Sequence, residues 1–164
     1  MNKLLLLIFL LPSLLLSQNI SNLKMKSYDG KKFFMKNNLN NDATIVLFWA
    51  TWCLPCKKEF TEIQKLQKKY PDKNIKVITI SKDTPRSLAK VKSFVKSHSY
   101  KFTYLIDPSG EVCSKLLINA VPHSFLVDKN GKVFYSHSGY RKGDEAELER
   151  ELLKYWKKPQ KEKS

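Results

Sequence analysis

Cys53 and Cys56 stand three positions apart in the stretch Trp49-Ala50-Thr51-Trp52-Cys53-Leu54-Pro55-Cys56-Lys57-Lys58-Glu59. Paired thiols at this spacing serve metal binding, haem attachment or redox exchange. Their surroundings decide which. Ala43–Ala50 carries the unbroken apolar run Ile45-Val46-Leu47-Phe48-Trp49 and reads as a buried strand. Cys56–Tyr70 has the repeat of an amphipathic helix. A strand that runs into a helix through the cysteines sets a thiol at a helix N-terminus. Unpaired N–H groups and the positive dipole end there favour the thiolate, which is the reactive form. Pro55 suits the first helical turn, where a missing N–H costs little.

The same helix carries a third reactive group. At about 100° per residue, Phe60, Ile63, Leu66 and Tyr70 form one apolar stripe that Cys56 joins. Lys57, Lys58, Lys65, Lys68 and Lys69 lie off it, but Glu59 falls inside it, one turn from Cys56. A carboxyl that faces a core is costly to ionise, so its pKa is expected to rise, and beside thiols it can pass protons. The alternative is a boundary glutamate that reaches solvent or pairs with a lysine. Zinc needs four ligands, and the cysteines supply two. Cys113, His98, His123 and His137 add none in paired spacing, so no metal is expected. Haem attachment calls for histidine after Cys56, where Lys57 stands. No cofactor is expected.

Phe48–Cys56, Val121-Pro122 and Phe125–Gly131 resemble the thioredoxin superfamily, and within it the TlpA/ResA-like thiol-disulfide oxidoreductases of extracytoplasmic compartments. The resemblance covers roughly Leu23 to Lys157. It implies an α/β thioredoxin-like fold: a central mixed β-sheet flanked by helices, with an N-terminal β-hairpin and one inserted strand–helix pair. It implies a redox-active disulfide between Cys53 and Cys56, with Cys53 attacking from the exposed end and Cys56 resolving the mixed disulfide. Glu59 stands at the spacing of the family's active-site glutamate. Val121-Pro122 stands at the family's cis-proline loop, whose backbone pairs with an extended substrate, and Trp52 would shape the surface beside Cys53. The implied function is reduction of protein disulfides, as in the family's reduction of apocytochrome c before haem attachment, with a membrane thiol carrier as electron donor. A thiol oxidant or isomerase is the alternative, and so is a non-enzymatic binding module. A peroxidase would show a different cysteine signature. Two positions depart from the pattern. Leu47 stands where plain thioredoxins carry a buried aspartate, which leaves Glu59 as the only obvious nearby acid. Leu54 stands where thioredoxin has glycine, so the direction of electron flow does not carry across.

The 164 residues, 42% hydrophobic and 27% charged, suit one globular domain with tails. Met1–Ser17 differs in kind. Lys3 precedes an apolar run, Leu4–Leu16, that is short for a membrane span. A signal peptide cleaved near Ser17 is expected, with a retained anchor as the alternative. The organisation is then 1–17 signal, 18–157 thioredoxin-like domain and 158–164 basic tail. Export suits the cysteines, because disulfides persist outside the cytosol. The net charge of +15 falls to +14 without the signal, which holds one lysine and no acid. A solvated basic surface is the plain reading, and attraction to anionic lipid or an acidic partner the sharper one. No nucleic-acid motif appears. A monomer is expected.

The remaining elements follow from pattern. Asp29-Gly30 turns a hairpin within Leu23–Met35. Asn37–Asp42 is a loop. Ile75–Ile80 is a strand and Thr84–Ser97 a helix, with Leu88, Val91, Phe94 and Val95 on one side and His98 packed or capping at its end. This is the pair that resembles the family's insertion. Phe102–Ile106 is a strand and Glu111–Leu117 a short helix with Val112, Cys113, Leu116 and Leu117 on one face. Cys113 is either a small buried residue or a third redox thiol. Asp128–Gly131 joins strands Ser124–Val127 and Lys132–Ser136. His123 could face the cysteines, although strand alternation argues against it. Gly143–Lys157 is the last helix, with Leu148, Leu152, Tyr155 and Trp156 on one stripe.

Overall fold

One strand, Ala43–Trp49, is buried at every position. The computed structural model describes residues 18–158, so the expected signal at 1–17 and the tail beyond Lys158 lie outside the described residues. Among these residues seven strands form one sheet: β1 (Lys24–Ser27), β2 (Lys32–Phe34), β3 (Ala43–Trp49), β4 (Ile75–Ser81), β5 (Thr103–Ile106), β6 (His123–Val127) and β7 (Val133–Ser138). Their order is β2-β1-β5-β4-β3-β6-β7. β4 pairs in parallel with β3 and β5, while β6 runs antiparallel to β3 and to β7, and β1 to β5 and β2. The sheet is mixed, and the N-terminal hairpin β1–β2 is present.

A strand that is apolar on both faces needs cover on both sides. Alternation divides β3 accordingly. Ile45, Leu47 and Trp49 pack with Phe60 and Ile63 of α1 (Leu54–Lys69), Phe94 of α2 (Leu88–Ser97) and Leu148 and Leu152 of α4 (Asp144–Lys157). Val46 and Phe48 pack on the other side with Ile20, Met35, Leu39 and Phe125, and with Cys113 of α3 (Glu111–Lys115). On the first side the Trp49 ring meets Phe60 and Phe94 at centroid distances of 5.1 and 4.7 Å, a geometry that adds to simple area burial.

Several boundaries differ from the sequence expectation. α1 starts at Leu54 rather than Cys56, because Cys53 caps it. The expected helix Thr84–Ser97 opens as a 3-10 turn, Pro85–Ser87, and becomes α-helical at Leu88. Pro85 holds Thr84 extended, so the regular helix begins later. A 3-10 turn, Met35–Asn38, occupies the start of the expected loop. α3 stops at Lys115, and Leu117 takes a left-handed φ of 57° in the position where glycine is usual. Leu117 therefore leaves the shared face and is 75% exposed, whereas Leu116 stays buried. β7 runs two residues further than expected, to Ser138.

Gly131 closes the turn between β6 and β7 at φ +81°, and its carbonyl accepts the Ile20 N–H at 2.8 Å. A Cβ there would lie 2.6 Å from Ser21 Cβ and 2.7 Å from Ser21 N. Gly131→Ala should cost about 1–3 kcal/mol, from strain plus displacement of the N-terminal segment. A shift in the urea midpoint checks this, and an unshifted midpoint contradicts it.

Candidate active site

Cys53 and Cys56 form a disulfide, with Cα atoms 5.4 Å apart. Cys53 is the N-cap of α1, and its Sγ accepts the Cys56 N–H at 3.2 Å. That bond satisfies one of the open N–H groups of the helix end. The first turn holds no acidic residue, so nothing there competes for the positive end of the helix. Cys53 was expected at an exposed end, but it is 3% exposed and Cys56 is fully buried. The cap turns the Cys53 sulfur inward, and exposure falls to its neighbours instead. Trp52 is 67% and Leu54 68% exposed.

Glu59 faces the core, as its place in the apolar stripe requires. It is 5% exposed and makes no ion pair among the described residues, so it neither reaches solvent nor pairs with a lysine. Its Oε1 accepts the Ser124 hydroxyl of β6, while its Oε2 has no hydrogen-bond partner. Burial pushes its pKa up to about 7 against the opposing Ser124 bond, and the Asp144 charge adds to the rise. Ser124 was not anticipated. The signal available was a lone serine at an inward position of an otherwise apolar strand.

Val121-Pro122 is a cis peptide. Val121 is half-buried and packs against the α1-side cluster, which contains both cysteines, and against the cluster on the other side of the sheet as well. The Pro122 carbonyl accepts the Gly139 N–H at 2.8 Å, which ties the loop to the end of β7. His123 points to the opposite face, where its Nε2 lies 3.0 Å from Ser136 Oγ and its ring packs against Phe48 and Phe125. Alternation thus removes it from the cysteines. Cys113 is a buried free thiol in that same opposite cluster. Burial and the neighbouring Asp107 push its pKa up to about 12, so it remains a protonated thiol away from the Cys53–Cys56 pair. His98 stacks on Phe94 at 4.1 Å and closes the α2 face.

A second buried acid, Asp83, also escaped sequence reasoning. It is 1% exposed and stands two residues past the end of β4. It accepts the Thr51 N–H at 2.8 Å, the Thr51 hydroxyl at 2.6 Å and the Ser81 hydroxyl at 2.8 Å. These bonds hold the three-residue link, Ala50–Trp52, between β3 and Cys53. Its only sequence trace is an acid just past an apolar strand, which is commonplace. Among the described residues no group of three or more His, Cys, Asp or Glu side chains could hold a metal. No helix of the described residues is long and apolar enough to cross a membrane. A groove of about 600 Å³ opens beside Pro55, lined by Lys58, Tyr140, Arg141 and Lys142 among others. Another of about 610 Å³ lies at the hairpin end of the sheet, away from the cysteines.

A profile of the AhpC/TSA family matches residues 16–136. The chain belongs to the AhpC/TSA family. Within it, the chain is similar to the thiol-disulfide oxidoreductase ResA of Bacillus thuringiensis subsp. konkukian, at 33% identity over 77% of this chain and 71% of that one. It is also similar to the sporulation thiol-disulfide oxidoreductase A of Bacillus subtilis, at 29% identity over 66% of each chain. Among solved structures, a putative thiol:disulfide interchange protein DsbE from Chlorobium tepidum aligns with a TM-score of 0.74 at 26% identity, over 85% of this chain and 96% of that one. A thioredoxin-like protein from Porphyromonas gingivalis aligns with a TM-score of 0.71 at 31% identity, over 83% and 90%. The fold of this AhpC/TSA-family chain is thioredoxin-like, and its activity is that of a thiol-disulfide oxidoreductase.

Two consequences of the buried acids in this family member can be measured. Between pH 4.5 and about 7 the native state holds the Glu59 proton that the unfolded chain has lost, so this group lowers stability as pH rises through that window. The full cost, on the order of 3 kcal/mol, applies above it. Glu59→Gln should therefore gain stability relative to the parent as pH rises from about 5 to 8, read from urea unfolding of the oxidised protein. A pH-independent difference would contradict an ionisable, buried Glu59. Asp83→Ala leaves Thr51 without its partner and should cost about 1–3 kcal/mol. It should also slow thiol–disulfide exchange by loosening the segment before Cys53, and an unaltered midpoint with an unaltered rate would show that Asp83 braces nothing.

Proposed function

We propose that the chain is an exported disulfide reductase acting on protein disulfides, with apocytochrome c as the substrate suggested by the family resemblance. The observation that carries this reading is the buried, uncompensated Glu59 one turn from Cys56, behind a disulfide at a helix N-terminus. The helix end favours thiolate, and so favours the reduced pair. A carboxylate behind the pair works the other way, because its charge opposes a second anion and favours the disulfide. A pair biased toward its own disulfide gives electrons away.

The residues take the following parts. The Cys53 thiolate attacks a substrate disulfide, forms a mixed disulfide and releases one substrate thiolate. Cys56 then attacks the Cys53 sulfur, releases the second substrate sulfur and restores the Cys53–Cys56 bond. Two electrons pass from the dithiol to the substrate. Glu59 takes the Cys56 proton as that sulfur attacks. The substrate sulfur meets Cys53 between the exposed side chains of Trp52 and Leu54. Val121 lies outside the β6 ladder, whose pairing starts at His123, so its backbone is placed to receive an extended substrate strand, with Pro122 fixing the loop. The groove beside Pro55, lined by Lys58, Lys65, Arg141 and Lys142 together with Glu62 and Glu145, widens the surface available to a protein partner. Residues 1–17 act as the export signal, a membrane thiol carrier supplies electrons, and the protein works as a monomer.

The test is the reduction potential of the Cys53–Cys56 pair, obtained by equilibrating the protein with a dithiol buffer and trapping free thiols. A value at or below about −250 mV is expected, and one approaching about −120 mV would make the protein an oxidant. Cys56→Ser should accumulate a mixed disulfide with substrate through Cys53, and Cys53→Ser should accumulate none. Full activity in either variant would overturn the assignment of roles.

A further inference from the structure

Glu59 takes up a proton in each turnover under the reading above, and a buried carboxyl must also give that proton back. It is 5% exposed, and Oε2 is the one of its oxygens left without a partner. Glu59 lines a cavity of about 10 Å³ that neither cysteine lines. That volume holds about one water, provided polar groups surround it. They do. β7 contributes Tyr135 and His137, the following loop Tyr140, α4 Asp144 and Glu145, and α1 Glu62, with Ile63 and Leu148 as the apolar walls.

These groups differ in what they can carry. The Tyr140 hydroxyl donates to Glu145 Oε2 at 3.0 Å, and burial pushes its pKa upward. Burial holds Tyr135 up to about 12. Glu62 is engaged by Lys65 at 2.8 Å. His137 remains, with its Nε2 3.1 Å from Asp144 Oδ2. The side chains of this pair are 28% and 27% exposed, so they touch both the cavity and the solvent. The Arg141 N–H, donated to Asp144 at 2.7 Å, and His137 itself keep the Asp144 carboxyl ionised and below its usual range. The sheet register makes the placement independent of the cavity. Ser124, which bonds Glu59, is the direct cross-strand partner of His137. Cross-strand partners share a face of the sheet.

We propose that His137, oriented by Asp144, is the proton outlet of Glu59, reached through one water in the cavity between them. This rests on the role proposed for Glu59. Cys56 gives its proton to the Glu59 carboxylate as its sulfur attacks the mixed disulfide. Glu59 passes the proton to the cavity water, which hands one of its own to His137. The imidazolium, with Nε2 3.1 Å from Asp144 Oδ2, releases a proton to solvent from its exposed side. The electrons go only from the dithiol to the substrate disulfide, and no further reactant is needed. His137 touches neither sulfur nor substrate, so it is a relay residue rather than a catalytic one.

The experiment follows oxidation of the fully reduced protein by oxidised glutathione in stopped flow, near pH 7 and at low buffer concentration, for the parent chain and for Glu59→Gln, His137→Gln and His137→Ala. His137→Gln keeps a hydrogen-bond donor toward Asp144 but cannot carry a proton. Both His137 variants should slow the step that resolves the mixed disulfide by at least about tenfold, within the reach of a lost acid–base group. Added imidazole should restore His137→Ala and leave the parent rate unchanged. A parent-like rate in His137→Gln overturns the outlet, and so does a slow His137→Ala that ignores imidazole. A slow Glu59→Gln beside a parent-like His137→Gln removes the outlet alone, whereas a parent-like Glu59→Gln removes the role of Glu59 and the outlet with it.

Discussion

The complete burial of β3 is the constraint on which the structure rests. Seven consecutive residues, Ala43–Trp49, face no water on either side. Such a strand is stable only in the interior of a sheet with cover on both faces, and the order β4-β3-β6 with helices on one side and the N-terminal segment and α3 on the other supplies it. The end of β3 is then fixed in space, and so is the start of α1 only a few residues later. Cys53 lies in that interval, and Cys56 lies in the first turn of α1. Their position follows from the fully buried strand of the domain, and Asp83 ties down the three-residue link with bonds to Thr51.

The same burial creates the electrostatic tension of the site. α1 must present an apolar face to β3, and Glu59 sits on that face. Ser124 satisfies one of its oxygens, from a strand that joins β3 on its other edge. The second oxygen has no protein partner. A glutamine of the same shape would relieve the strain and lose the titration. The stability that Glu59 costs the domain fits the proton-handling role proposed for it. Glu59 lies one helical turn from Cys56, in a chain whose Leu47 carries no group that titrates.

Much of this was legible in the sequence where a pattern had a period or a motif had a fixed spacing. The apolar run of β3, the stripe of α1 with Glu59 on it, and the Asp29-Gly30 and Asp128–Gly131 turns all read directly from residue order. The partners of those residues did not. Ser124, Asp83, His137 and Asp144 are ordinary polar residues, and their importance arises from tertiary register, which no local pattern carries. The burial of Cys53 was missed for a related reason. A helix cap depends on the direction in which one side chain turns, and the spacing of the cysteines is silent about that. Leu117 differs because the helical face runs, by sequence pattern, two residues past Lys115 onto the residue that adopts the left-handed turn.

The disulfide spans only two intervening residues, so it closes a very short loop and removes little freedom from the unfolded chain. The bond is thus a small part of what keeps the domain folded in general. Unfolding and oxidation nevertheless form a closed thermodynamic cycle. Any difference in fold stability between the disulfide and dithiol forms equals the displacement of the folded pair's potential from that of an unfolded chain, about 30 mV for every 1.4 kcal/mol. Electron-donating power is, in this sense, written into the relative melting of two redox forms. A substitution that never touches sulfur, but that favours one form's packing at the start of α1, would retune the direction of electron flow as surely as a change between the cysteines.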